Sequence, residues 1–311
     1  MSPLPPALTR ADLLDPVLVA RLSRRELPGP PSPHPHRGLH RSARRGASLE
    51  FSEHTLYARG DDLRHLDWKF LAKTDRYLVK RYEDERLQRA VLLVDASRSM
   101  VYGAANGGLR ASKYHLAARL AAALAACLLR QGDAVGVCLA GGAEGAWLPP
   151  RSGSAQLGAV LEVLGGARPA GEAALGTACR GVGERLKRGA AVFVFSDFLD
   201  EGEEHLEGAR LLRARGLAPR LVHLLHPEEV DLPFENTTRF LDLEGPGSLV
   251  LDPLPLRRAY REEIAAFVRG VAREAEALGV PHAFLTGADD PAPALGRLLL
   301  QARRTHRAGR R

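Results

Sequence analysis

The chain has 311 residues, 45% hydrophobic and 26% charged, with a formal net charge of +7. That composition suits a soluble, well-cored protein and excludes a mainly disordered one. The longest apolar stretch, His115 to Leu129, is mostly alanine and is broken by Arg119, too weakly hydrophobic to span a bilayer.

Residues Met1 to Pro16 carry Pro3, Pro5, Pro6, Asp12 and Asp15 and lack the apolar core of a secretory signal, so a cytoplasmic protein is expected. The basic charge is concentrated at the ends. Residues Met1 to Arg45 hold eight Arg against three acids, and Arg297 to Arg311 hold six Arg and no acid, which leaves the body acidic. The expected organisation is a Pro/Arg-rich flexible tail and linker over 1–45, a charged segment over 46–89 packing on the core, a main domain over 90–303, and a basic tail over 304–311. His34, His36 and His40 lie in the linker without a Cys or carboxylate beside them and read as tail residues. Cys127, Cys138 and Cys179 form neither a disulfide framework nor a zinc spacing and are expected as buried thiols.

Within 46–89, Tyr77 to Tyr82 has strand character. Ala90 to Val94 is a continuous apolar run, the pattern of a strand buried on both faces. Helix is expected over Ser112 to Arg130, ending at Gly132, with Lys113 at its start read as a solvated helix-surface charge in preference to a contact with the loop after the first buried strand. A strand follows over Ala134 to Ala140, then helices over Ser154 to Leu164 and Thr177 to Lys187, and a strand over Ala190 to Phe195. Next come a helix over Glu203 to Arg215 and a strand over Pro219 to Leu225. An insertion over 227–256 contains a short hairpin, Phe240–Asp242 with Leu249–Leu251, around Gly245 to Gly247. A long amphipathic helix over Leu256 to Leu278, a strand over His282 to Leu285 and a helix over Pro291 to Arg303 complete the chain. This alternation predicts an α/β fold with a doubly wound, mostly parallel sheet, and no internal repeat is evident.

In such sheets ligands bind beyond the carboxyl ends of the strands, where the strand order reverses. After the first buried strand comes Asp95–Ala96–Ser97–Arg98–Ser99. After the Ala190 to Phe195 strand comes Ser196–Asp197, and Gly176–Thr177 opens a helix. Three hydroxyls and two carboxylates form an all-oxygen set suited to a hard cation, Mg²⁺ or Mn²⁺. Because hydroxyls carry no formal charge, the ion would stay electron-poor, with a position open to an outside carboxylate. The bland alternative is that Asp95, Ser97 and Ser99 merely cap the following turn.

Asp95, Ser97, Ser99, Thr177 and Asp197 resemble the five positions of the metal-ion-dependent adhesion site of von Willebrand factor A domains. A fuller stretch is Tyr57–Ala–Arg59–Gly60–Asp61–Asp62–Leu–Arg64–His–Leu–Asp67–Trp68–Lys69, continuing through Arg81–Tyr–Glu83–Asp–Glu85–Arg86 to the Asp95 motif and Met100. It resembles the bacterial family known as domain of unknown function 58, whose members carry such a domain. The resemblance runs from about Gly46 to the end. It implies that Ser97, Ser99 and Thr177 ligate the ion, with Ser152 or Ser154 as a fallback for the threonine. Asp95 and Asp197 would hold the ion through water or fix the hydroxyls, and a partner's Asp or Glu would complete the shell. It also implies a MoxR-type AAA+ ATPase as partner in a chaperone-like or assembly role. Many members carry transmembrane segments ahead of the block, where this chain has its Pro/Arg-rich residues. Arg59, Asp61, Asp62, Arg64, Asp67, Arg81, Glu85 and Arg86 read as an ion-pair and turn network, and Trp68 as a core anchor.

The leading expectation is a metal-gated protein-docking module and not an enzyme. No Gly-x-x-x-x-Gly-Lys-Ser/Thr, Gly-x-Ser-x-Gly or His-Glu-x-x-His occurs. A metal-dependent phosphoryl-transfer hydrolase is the alternative, but its second acid would stand where Ser97 does. A nucleic-acid or anionic-surface binder working through the arginine tails is a further alternative.

Overall fold

The computed structural model describes residues 8–24, 50–56, 70, 77–83, 89–104, 109–142, 145–172, 174–199, 206–243 and 247–308. They fall into two compact units. The smaller contains β1 (Glu50–Leu56) and β2 (Leu78–Glu83), paired antiparallel from Glu50↔Glu83 to Leu56↔Leu78 with a bulge between Phe51 and Glu53. β2 covers the strand expected at Tyr77 to Tyr82, whereas β1 was not read from the sequence. The Arg59 to Lys69 block, Glu85, Arg86 and the linker histidines lie outside the described residues.

The larger unit is built on six strands: β3 (Arg89–Asp95), β4 (Ala134–Ala140), β5 (Ala146–Arg151), β6 (Ala191–Ser196), β7 (Ala218–Leu225) and β10 (His282–Thr286). They lie in the order β10-β7-β6-β3-β4-β5, parallel throughout except that β5 runs antiparallel to β4. Numbered by first appearance within the sheet this is the doubly wound order 3-2-1-4-5-6, read from the β5 edge, with its reversal point between β3 and β6. The fold is α/β with a doubly wound, mostly parallel sheet, as the alternation of strands and helices predicted. β5 escaped the sequence reading because Pro149 and Pro150 break its strand pattern, and an edge position is where a strand tolerates proline.

Alternate residues of β3 enter two apolar layers. Val91 and Leu93 meet Val182 of α5 (Leu175–Arg185), Leu212 of α6 (Glu207–Ala214) and Val271 of α8 (Arg257–Ala277). Leu92 and Val94 meet the alanine-rich α3 (Lys113–Arg130), α4 (Ser154–Gly166) and α9 (Pro291–Ala308). A short helix α7 (Pro227–Asp231) and the hairpin β8 (Thr238–Leu241) and β9 (Ser248–Leu251) make up the insertion. All three cysteines are free and buried, as expected, and burial pushes the thiols of Cys138 and Cys179 up to about 11 and about 12.

Two expectations about the ends are corrected. Residues 8–24 are not a flexible tail. They form α1 (Arg10–Leu13) and α2 (Pro16–Arg24), which place Leu8, Leu13, Leu18, Val19 and Leu22 in the core layer beside α3. The Leu8 N–H donates to the Gly165 carbonyl at 3.1 Å, and a Cβ at Gly165 would collide with the Leu8 carbonyl. Likewise 304–308 are not a separate tail but continue α9 to Ala308. No Pro or Gly stands between Arg303 and Ala308 to stop it.

His282 introduces an acid-sensitive point into this core. Its ring lies 5.7 Å from that of His223, which stands edge-on to Phe198, Phe267 and Phe284. Among the described residues the His282 Nε2 is buried without a hydrogen-bond partner, and burial pushes the imidazole down to about 4 from an ordinary 6.5. The folded chain therefore keeps His282 neutral where the unfolded chain protonates it. Its contribution is present above pH 6.5 and lost as pH falls toward 4, about 2 kcal/mol of stability between pH 7.5 and pH 5. His282→Leu should flatten that part of the slope in urea denaturation at the two pH values, and an unchanged slope would assign it elsewhere.

Candidate metal centre

β3 and β6 are in parallel register up to Val94↔Phe195, so the next residues of each strand, Asp95 and Ser196, emerge side by side at the reversal point. The Ser196 hydroxyl donates to Asp95 Oδ2 at 2.7 Å, and the Ser97 N–H donates to Asp95 Oδ1 at 2.8 Å. The next turn, a 3-10 helix over Ser99–Val101, brings the Ser97 and Ser99 hydroxyl oxygens to 3.0 Å from each other. Gly141, at φ +79, carries the end of β4 past this loop, where a Cβ would sit 3.3 Å from both the Ser97 nitrogen and the Glu172 carbonyl. The segment before α5 closes on the same loop, with the Arg98 N–H donating to the Gly171 carbonyl at 2.9 Å and the Ala170 N–H to the Ala96 carbonyl at 3.0 Å.

Beyond β6 the chain turns through Phe198 at φ +52, an uncommon conformation for a bulky residue and one that concentrates at functional sites. Asp197 Oδ1 accepts the Leu199 N–H at 3.3 Å, and Asp197 Oδ2 accepts from Lys113 Nζ at 2.6 Å. Lys113 corrects the sequence reading: it is not a solvated surface charge but is 1% exposed, and it also donates to Glu229 Oε1 at 2.7 Å. Burial pushes its ammonium down, yet Asp197 and Glu229 together outweigh that and hold it above its ordinary value. Glu229 is fixed from behind, since its Oε2 accepts the His226 N–H at 2.7 Å and Tyr260 donates to its carbonyl at 2.8 Å. Sequence reasoning missed Glu229 because it lies in the insertion, 116 residues beyond Lys113. The Glu229-to-His226 capping box was the legible signal there.

Asp95, Ser97, Ser99 and Asp197 are thus brought to one place. Thr177 lies in the first turn of α5 with its side chain exposed, and no hydrogen bond joins it to the other four among the described residues. The fallback at Ser152 or Ser154 is excluded by strand direction. Antiparallel β5 ends at Arg151 beside Val135, which is level with Ala90, five residues below Asp95. At a strand rise of about 3.3 Å per residue that is about 17 Å from the site.

The donor chemistry fits a small divalent cation. For oxygen ligands at about 2.1 Å, neighbouring corners of an octahedron are about 3.0 Å apart, the separation found between the two serine oxygens. Each carboxylate oxygen of Asp95 and Asp197 accepts a protein donor, which fixes the acids beside the Ser97 and Ser99 hydroxyls, themselves within hydrogen-bond distance of each other. Burial and the neighbouring Asp197 charge push the Asp95 carboxyl up to about 6, against the hydrogen bonds from Ser196 and Ser97 that hold it down. Three carboxylates against one ammonium leave two negative charges at the site, the complement of a divalent ion. Among the described residues no three His, Cys, Asp or Glu side chains converge closely enough to hold an ion by themselves, so such an ion would depend on the hydroxyls.

The family model described as protein of unknown function DUF58 matches residues 53–273. Uncharacterized protein Rv1480 of Mycobacterium tuberculosis is 29% identical over 285 residues, covering 89% of this chain and 87% of that protein, and uncharacterized protein Mb1516 of Mycobacterium bovis matches equally. Among solved structures, the conserved hypothetical protein BatB from Bacteroides thetaiotaomicron is 18% identical, with a TM-score of 0.46, over 70% of this chain and 99% of that one. An aerotolerance-related membrane protein from Bacteroides fragilis is 16% identical, with a TM-score of 0.43, over 69% and 98%. The SpRpn10 von Willebrand factor A domain is 14% identical, with a TM-score of 0.33, over 45% and 76%.

Proposed function

The chain belongs to the DUF58 family, and from that premise we propose that it is a protein-docking module whose oxygen-lined face captures an acidic side chain of a partner. The observation that carries this reading is the pair of serine hydroxyls, 3.0 Å apart, set against two buried aspartates at the reversal point of the sheet. Ser97 and Ser99 would hold Mg²⁺ or Mn²⁺, Asp95 and Asp197 would support it from outside, and Thr177 would join them from the first turn of α5. When bound, the ion supplies a Lewis-acidic position for an incoming carboxylate. Beside Ala96 an open cleft of about 510 Å³, lined by Gly141, Gly142, Glu162 and Arg168, offers room for the residues that flank it.

A binding role suits these residues better than hydrolysis. Both Asp95 oxygens are engaged by Ser97 and Ser196, which is poor provision for a nucleophile, and Ser97 replaces the acid that phosphoryl transfer to an aspartate needs. No helix among the described residues is long and apolar enough to cross a membrane. The proposal places the protein in the cytoplasm with a MoxR-type AAA+ ATPase as partner.

The test is capture of that ATPase, purified, on immobilised wild-type, Ser97→Ala and Asp95→Ala protein, each with Mg²⁺ and with chelator. Retention by wild-type protein with Mg²⁺ and by none of the other combinations is the expected result. Equal retention in every arm would sink the metal-dependent reading, and no retention in any arm would sink the choice of partner.

A further inference from the structure

Lys113 is in a place where a positive charge is costly for two separate reasons. It is the first residue of the 18-residue helix α3, at the end where the helix dipole is itself positive, and no acidic residue lies in that first turn to offset it. It is also almost wholly buried, where an ammonium without partners is strongly disfavoured. Two carboxylates hold it there: Asp197, a member of the oxygen cluster, and Glu229, which reaches in from α7 already fixed by its own helix cap. With its ammonium 2.6 Å from an oxygen of a candidate ion-binding aspartate, Lys113 bears on the ion site directly.

We propose that Lys113 sets the cation affinity of the site, competing with the ion for Asp197 and keeping that carboxylate out of direct ligation. The inference rests on the docking reading above and deepens it. While the ammonium holds Oδ2, Asp197 contributes its charge from a distance and the hydroxyls remain the direct ligands. The ion then stays electron-poor, which is the condition for strong capture of a partner's carboxylate. Without Lys113 the three acids would present one more negative charge, and Asp197 would be free to enter the coordination shell in place of a water. Glu229 acts from the other side, since it shares the ammonium and limits the pull of Lys113 on Asp197.

The test measures Mn²⁺ affinity by electron paramagnetic resonance and counts bound waters from Tb³⁺ luminescence lifetimes in H₂O and D₂O. Wild-type, Lys113→Met, Glu229→Gln and Ser97→Ala proteins are compared, with circular dichroism to establish folding. Lys113→Met should bind Mn²⁺ at least about tenfold more tightly and hold Tb³⁺ with one fewer water. Glu229→Gln should bind Mn²⁺ several-fold more weakly, because Lys113 then pairs with Asp197 alone, and it decides the matter if Lys113→Met does not fold. Binding by Lys113→Met alone, with none by wild type, would bear out the competition but overturn the docking reading, because the natural protein would then hold no ion. Unchanged affinity and water count in folded Lys113→Met, or unchanged affinity in Glu229→Gln, overturns the role of Lys113. If Ser97→Ala has meanwhile lost binding, the ion site itself stands. If neither wild type nor Lys113→Met binds Mn²⁺, or Ser97→Ala binds as wild type does, the ion site fails and this inference with it.

Discussion

Replacing Lys113 with methionine is expected to cost about 3–5 kcal/mol of folding stability in the absence of divalent cations. The substitution keeps the length and much of the apolar volume of the side chain but removes its charge. Asp197, 3% exposed, and Glu229, 16% exposed, would then be left as carboxylates without the ammonium that now neutralises them. The cost comes from stranding two partly or wholly desolvated anions and is not the net worth of the ion pair, which a matched apolar trio could equal. Arg21→Met supplies the contrast. Its pair with Asp290 is as short, at 2.6 Å, but the two side chains are 49% and 47% exposed, so its loss should have a far smaller effect. Urea denaturation of the two variants in chelator measures both. Equal effects would mean that the Lys113 pair is as well solvated as a surface one. Adding Mn²⁺ should recover part of the loss in Lys113→Met, because an ion that binds only the folded state stabilises it.

The second large effect is expected far from the site, at the start of the chain. Leu13→Ala should destabilise the protein by about 2–5 kcal/mol, the range for truncating a fully buried leucine. Leu13 has no exposed surface and shares the apolar layer with Tyr114, Leu161 and Leu164. Val17, four residues on and 67% exposed, should change stability by no more than about 0.5 kcal/mol on replacement by alanine. If Leu13→Ala behaved like Val17→Ala, residues 8–24 would be a dispensable arm after all. Thermal or urea unfolding of the two variants decides it.

The N-terminal helices were legible in part. Thr9 and Asp12 form a reciprocal cap, with Thr9 Oγ1 and the Asp12 carboxylate 2.7 Å apart. Asp15 accepts the Val17 and Leu18 N–H groups, and Pro16 stands at the first helical position, where its missing N–H costs nothing. Those signals were overshadowed by the prolines and arginines around them. No local rule could show that the apolar side of so short an element has a groove waiting beside α3. A four-residue helix has no stability of its own, and its existence depends on that packing.

The sequence alone was enough for the alternation of buried strands and helices, and for the Asp95–Ser97–Ser99 loop with Ser196–Asp197 as its neighbour. A parallel strand covered on both faces must be apolar throughout, so β3 and β6 stand out as continuous runs, and the residues just after each run must lie at the binding end of the sheet. Only the tertiary structure decided the rest. Lys113 looks like any helix-surface lysine until Glu229, 116 residues away, closes over it. Ser152 and Ser154 stand as a fallback for Thr177 until the antiparallel run of β5 carries them to the far end of the sheet. Charge balance and strand direction are properties of distant segments brought together, and no local spacing in the chain encodes either.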